Sequence, residues 1–236
     1  NNHLKSLSWI VENGTVAEDG SIEMPKTMAL YLDDFLPRTH KIEKEESYRK
    51  LVNDIHSPEQ TNWKIPEGVN AVLRPYQVVG YQWLKTLAYY NMGGILADDM
   101  GLGKTLQVIS LLLAERQDYD AGEKERRRSL IVCPASLVYN WQKEIERFAP
   151  ELETVTITGS APERKDIIRH TTDGQILITS YDLLKRDVEY YKNIVFAVQV
   201  IDEAQYIKNA GTQAAKGVKK ITAAFKLAVS YTHLRA

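Results

Sequence analysis

Two short segments about a hundred residues apart carry most of the chemistry in this chain. DDMGLGKT, Asp98 to Thr105, follows the apolar run GGILA, and VQVIDEAQ closes a second apolar run on Asp202 and Glu203. Glycines followed by a lysine and a hydroxyl at the start of a helix are what a polyphosphate requires. Backbone N–H groups at the helix N-terminus surround the anion, and the lysine reaches its outer phosphates. Gly101, Gly103 and Lys104 supply these parts. Thr105 offers Mg²⁺ a hydroxyl, Asp202 would hold the same ion from the end of its strand, and Glu203 would orient an attacking water. The strict phosphate-loop spelling requires a glycine where Asp98 stands, so a plain helix-capping loop is the competing reading of GLGK. The Asp-Glu pair at a strand end weighs against it.

These side chains need a scaffold. At 236 residues and 44% hydrophobic content the chain can bury a sizeable core. With a net charge of −1, any contact with DNA must come from local patches or backbone donors. Cys133 is the only cysteine, so no intrachain disulfide forms, and within LIVCPAS it reads as a small buried hydrophobe. The five histidines lack metal-ligand spacing, and no structural metal is expected. Apolar stretches such as VISLLLA fall short of the roughly 18 residues of a spanning helix, and NNHLKS is no signal peptide, so a soluble cytoplasmic protein without membrane contact is expected.

Turn signals at Asn13-Gly14 and Asp19-Gly20 predict a small hairpin after SLSWIV. Two short helices are then predicted, MALYLDDFL with Met28, Leu32 and Phe35 on one face, and SYRKLVNDI with Tyr48, Leu51, Val52 and Ile55. LRPYQVVGYQWLKTLAYY reads as a long amphipathic helix with Pro75 in its first turn and Tyr76, Val79, Trp83, Leu87 and Tyr90 recurring at helical intervals. Five apolar strand runs then alternate with helices: GGILAD, SLIVCP, ETVTIT, QILITS and VQVID. Strands apolar throughout indicate a mostly parallel sheet covered by helices on both faces, and five such units define an α/β fold of the RecA-like kind. The three arginines of AGEKERRRS read as a solvated loop.

The ordered series LRPYQVVGYQWL, DDMGLGKT, LIVCPASLVYNWQKEIERFAP, ILITSYDLL and VIDEAQYIKN strongly resembles the N-terminal RecA-like lobe of the Swi/Snf-type helicase-like ATPases, especially their bacterial members. The resemblance implies three parts. Residues 1–68 would be the end of an associated N-terminal region, 69–229 the ATP-binding P-loop NTPase lobe, and 230–236, SYTHLRA, a tail foreign to the family. It further implies that a second lobe, here absent, supplies an arginine finger, so that this stretch alone hydrolyses ATP negligibly.

Residue by residue, the resemblance assigns ATP to Arg74, Gln77 and the loop Asp99, Met100, Gly101, Leu102, Gly103, Lys104 and Thr105. Gln77 would stand on the adenine side, with an exposed helix glutamine as the alternative. Lys104, Asp202 and Glu203 would be the catalytic set, with Mg²⁺ on Thr105 and Asp202. Gln205 replaces a histidine common in relatives; its amide can couple lobes but cannot transfer a proton. For DNA the resemblance points to Pro134, Ala135 and Ser136 and to Thr179, Ser180 and Tyr181, whose hydroxyls and N–H groups suit a phosphate backbone. Ser136 as a helix N-cap is the competing reading. Trp141 reads as core rather than as a base-stacking ring, and the lysines of KNAGTQAAKGVKK as a solvated helix face. The implied activity is DNA-dependent ATP hydrolysis driving translocation on double-stranded DNA, with nucleoid or transcription proteins as further partners. A strand-separating helicase and a non-catalytic nucleotide-binding module are the alternatives.

Overall fold

The computed structural model describes residues 14–19, 21–35, 45–98, 101–123 and 125–231. The chain divides into two compact units, Asn1–Thr61 and Asn62–Ala236. In the first, β1 (Thr15–Val16) pairs antiparallel with β2 (Ile22–Glu23). Asp19 tightens the turn by accepting from the Ser21 N–H and hydroxyl at 2.9 and 2.6 Å, an aspartate turn of the expected kind. Asn13 and the SLSWIV run lie outside the described residues. Helices α1 (Ala29–Phe35) and α2 (Glu46–His56) follow, and α2 buries Leu51, Val52 and Ile55.

The second unit opens with α3 (Pro75–Tyr89), started by Pro75, whose missing N–H costs nothing at a helix N-terminus. Its buried face differs from the expected one. Tyr76 and Val79 are exposed, while Gln77, Tyr81, Leu84, Lys85, Leu87 and Ala88 are buried. Polar groups populate this face because each has a partner. The Tyr81 hydroxyl donates to the Lys64 carbonyl at 2.9 Å, and the Lys85 ammonium lies 2.8 Å from Glu115 and 2.5 Å from Asp118. An apolar count along the helix therefore points to the wrong stripe.

After β3 (Gly94–Asp98) comes α4 (Lys104–Asp120), buried all round from Leu106 to Glu115. It is a central helix rather than an amphipathic surface helix. Beyond it run β4 (Ser129–Cys133), α5 (Val138–Phe148), β5 (Thr154–Thr156), α6 (Ala161–His170), β6 (Ile176–Ser180), α7 (Tyr181–Asp187), β7 (Val195–Ile201), α8 (Gln213–Lys220) and β8 (Thr222–Tyr231). The six strands lie in the order β3-β8-β7-β4-β6-β5, every pair parallel. Every residue of β4 and β6 is buried, and because successive side chains point to opposite faces, both faces of the sheet are covered. Each enclosed aliphatic side chain contributes about 1.5–3 kcal/mol.

A sixth strand, β8, joins the five apolar runs, from Thr222 through Ser230 and Tyr231, the last two lying in the stretch that the resemblance sets apart as a tail. Ala97 pairs with Ser230 and Asp98 with Tyr231, so this stretch lines the last residues of β3. Arg164 of α6 forms a fork-shaped ion pair with Asp187 at the end of α7. Nε and Nη2 donate at 2.6 and 2.8 Å, and Nη1 reaches the Gly159 carbonyl at 2.7 Å.

Candidate nucleotide site

In a parallel sheet all strands end on one edge, and ligands gather there. Here that edge collects the loop after β3, the turn after β4, the start of α7 after β6 and the acids after β7. Strands β3 and β7 flank β8, which sets their axes about 10 Å apart.

Gly101 and Gly103 both hold left-handed φ values, +82° and +70°, which l-residues with a side chain adopt at a cost. The second is also a place of close approach. A Cβ on Gly103 would stand 2.2 Å from Nε2 of Gln77. Gln77 is 7% exposed, not the free surface glutamine of the alternative reading. Its Oε1 accepts from the Arg74 N–H at 2.8 Å and its Nε2 donates to the Leu102 carbonyl at 3.1 Å, so the first turn of α3 braces the glycine loop. The Tyr76 hydroxyl donates to the same carbonyl at 3.2 Å. Arg74 is exposed beside this brace. Lys104 follows as the first residue of α4, buried, with Thr105 next and half-buried. Asp99 and Met100 lie outside the described residues.

Asp202 directly follows β7, its N–H bonded to the Val132 carbonyl at 2.8 Å. One carboxylate oxygen accepts from the Trp141 indole N–H at 2.8 Å, the other from the Glu203 N–H at 2.9 Å. Burial raises the Asp202 pKa above the ordinary carboxylate range. The Trp141 and Glu203 hydrogen bonds oppose the rise, the Glu203 charge adds to it, and the nearby Lys104 charge opposes it. Glu203 itself takes a left-handed φ of 52°, an uncommon conformation for a non-glycine residue that turns the chain sharply after the strand. Its carboxylate accepts from the Gln205 amide, whose oxygen in turn accepts from the Ser230 hydroxyl at 3.0 Å. The end of β8 is thereby tied to the acidic turn. Thr105 and Asp202 supply hard oxygen donors, and each Asp202 oxygen keeps a lone pair beyond its one hydrogen bond, a donor set that fits a small divalent cation.

The residues expected at DNA divide. Ser136 is exposed in a single 3-10 turn, Ala135–Leu137, that leads into α5, and it makes no capping bond; the residue before α5 is Leu137. Thr179 is 0% exposed within β6, and Ser180 is 3% exposed with its hydroxyl accepting from the Leu183 N–H as the cap of α7. Neither side chain is open to solvent in this fold. Sequence reasoning missed the roles of Trp141 and Tyr181, for no spacing rule links positions 141 or 181 to 202. Cys133 is fully buried, and burial pushes its thiol up to about 12.

A glycine loop between a parallel strand and a buried helix, facing an acid at the end of a non-adjacent strand, defines a RecA-like nucleotide-binding lobe. The sequence profile of the SNF2-related domain matches residues 76–235, and that of the bacterial SNF2 helicase associated region matches residues 3–66. The chain belongs to the SNF2-related family. It is 35% identical over 198 residues to the TATA-binding protein-associated factor MOT1 of Saccharomyces cerevisiae, covering 80% of this chain and 11% of that protein. It is 35% identical over 185 residues to the putative ATP-dependent helicase/translocase YwqA of Bacillus subtilis, covering 78% of this chain and 19% of that protein. The Sulfolobus solfataricus SWI2/SNF2 ATPase core solved in complex with dsDNA superposes with a TM-score of 0.60 at 34% identity, over 71% of this chain and 34% of that one. The chain thus spans between about a tenth and a fifth of the length of these two curated relatives.

Proposed function

We propose that this chain supplies the nucleotide-binding lobe of a DNA-dependent ATPase that translocates on double-stranded DNA, with ATP and Mg²⁺ as its cofactors. The observation that carries the reading is the left-handed glycine loop, braced by Gln77 and followed by buried Lys104, at the sheet edge that also holds Asp202. The loop N–H groups and Lys104 receive the phosphates, since a helix N-terminus and a fixed ammonium both favour polyanions. Gln77 keeps a second amide hydrogen and a second lone pair for the base edge, beside Arg74. Thr105 and Asp202 would hold the metal, which supplies charge neutralisation between the outer phosphates when bound. Glu203, held by Gln205, orients the water. A DNA strand would run along the same edge past Ser136 and the backbone N–H groups of the β4 and β6 turns, and a chromosomal substrate places the protein in the cytoplasm with the nucleoid. The dsDNA in the Sulfolobus neighbour supports this reading.

Equilibrium binding of a fluorescent ATP analogue tests the proposal. Lys104→Ala is expected to weaken binding at least about tenfold, a loss of about 1.4 kcal/mol, with an unchanged melting transition. Equal affinity of the variant and the parent would remove Lys104 from the site. In a protein that joins this lobe to its partner lobe, comparing duplex with single-stranded DNA as the stimulator of hydrolysis separates a translocase from a strand-separating helicase.

A further inference from the structure

Asp202 directly follows β7, just before the chain turns through the left-handed Glu203, a place where an aspartate would ordinarily sample several rotamers. Here it is gripped three times. The Trp141 Nε1–H donates to Oδ2 at 2.8 Å, the Glu203 N–H donates to Oδ1 at 2.9 Å, and the Tyr181 hydroxyl donates to the Asp202 main-chain carbonyl at 2.6 Å. Donors on both carboxylate oxygens fix the rotation of the group, and the carbonyl bond fixes the backbone from which it projects. Trp141 comes from α5 and Tyr181 from α7, the helices that follow β4 and β6. Both grips therefore originate on the sheet edge that carries the glycine loop. Trp141 is 3% exposed, and an indole has a single donor and no acceptor, so its one polar group is committed to this carboxylate. Tyr181 is held in turn by Tyr206, whose ring stacks on it at 5.6 Å with planes 6° apart and which is itself 59% exposed.

We propose that Trp141 and Tyr181 are positioning residues that aim the Asp202 carboxylate at a divalent cation beside the glycine loop. The proposal rests on the nucleotide reading above for the identity of the cation's companion. Groups one bond removed from a metal ligand set its orientation, and their loss characteristically weakens metal binding without removing the ligand itself. If Trp141 served only to fill volume, its ring would matter and its N–H would not.

The experiment titrates Mg²⁺ into the chain with a fluorescent ATP analogue, for the parent, Trp141→Phe and Tyr181→Phe. Phenylalanine keeps an apolar ring at 141, and at 181 it removes a single oxygen while retaining the stack on Tyr206. The Mg²⁺ concentration for half effect is expected to rise about 10-fold in Trp141→Phe and to a lesser degree in Tyr181→Phe, with the loss confined to the metal-dependent part of the affinity. An unchanged Mg²⁺ response in both variants overturns the proposal, as does an equal loss in metal-free binding. Should Trp141→Phe fail to show a melting transition, Tyr181→Phe alone decides. A second readout does not need nucleotide: Mn²⁺ should broaden the Trp141 indole proton resonance ahead of those of the other three tryptophans, and Asp202→Ala should abolish that selectivity. Unselective broadening overturns the proposal. A parent that binds no nucleotide but shows selective broadening counts against the nucleotide reading and leaves the metal clamp standing.

Discussion

Replacing Gly103 by alanine tests the phosphate loop and its brace together. The backbone there has φ +70°, and a left-handed conformation costs an l-residue about 1–2 kcal/mol. The new Cβ would also lie 2.2 Å from Gln77 Nε2, well inside contact distance. Gln77 cannot step aside freely, for its amide is buried and bonded to the Arg74 N–H and the Leu102 carbonyl, each bond contributing about 0.5–1.5 kcal/mol. The sum is about 2–5 kcal/mol. Gly101→Ala provides the internal comparison: its φ is +82°, but nothing lies within 4 Å of a Cβ built there, so only the backbone cost of about 1–2 kcal/mol applies. Thermal melting without nucleotide reads the difference. At about 2–4 °C per kcal/mol for a domain of this size, Gly103→Ala should melt about 2–12 °C below Gly101→Ala, and Gln77→Ala should restore part of that gap in the Gly103→Ala background. Equal melting temperatures for the two alanine variants would refute the brace.

The Arg164–Asp187 pair, with side chains 6% and 3% exposed, should lose about 3–5 kcal/mol when Arg164→Met leaves the carboxylate unpaired, whereas Arg164→Met with Asp187→Leu should recover most of it, as denaturant melts would show. Gln107, 1% exposed on α4, has neither amide atom hydrogen-bonded among the described residues. Gln107→Met should therefore stabilise the protein by about 1–3 kcal/mol, read as a higher melting temperature. The folded Cys133 thiol keeps its proton up to about 12, while the unfolded thiol loses it near 9. The folded state binds more protons across that window, so its stability falls as pH rises through it. Cys133→Ala should flatten that part of the stability profile, and native Cys133 should resist alkylation at pH 8 until the protein is unfolded.

How far the sequence could be read depended on whether a signal was local. The strands after Gly94 were legible because stretches such as LIVC and ILI are apolar at consecutive positions, as a doubly covered sheet favours. The glycine loop was legible because left-handed backbone and close approach both demand glycine at fixed offsets from Lys104. The buried face of α3 was not legible. Its inward side carries Gln77, Tyr81 and Lys85, whose burial is tolerated only because Leu102, Lys64, Glu115 and Asp118 stand opposite, and those partners lie elsewhere in the sequence. The burial of Thr179 and Ser180 was not legible for the same reason. Residue type announces what a group can bond, while the packing of neighbouring strands decides whether anything outside can reach it.

The sequence by itself determined the chemistry on offer: a lysine and hydroxyl behind two glycines, an acid pair closing an apolar strand, and an α/β scaffold to bring them to one edge. Tertiary structure alone decided which groups hold that chemistry in place. Trp141 and Tyr181 meet Asp202 across 61 and 21 residues of chain, and Ser230 reaches Gln205 only because β8 inserts between β3 and β7. Such contacts follow from strand order, which parallel pairing leaves open in the sequence, because every crossover helix can return the chain to more than one position in the sheet.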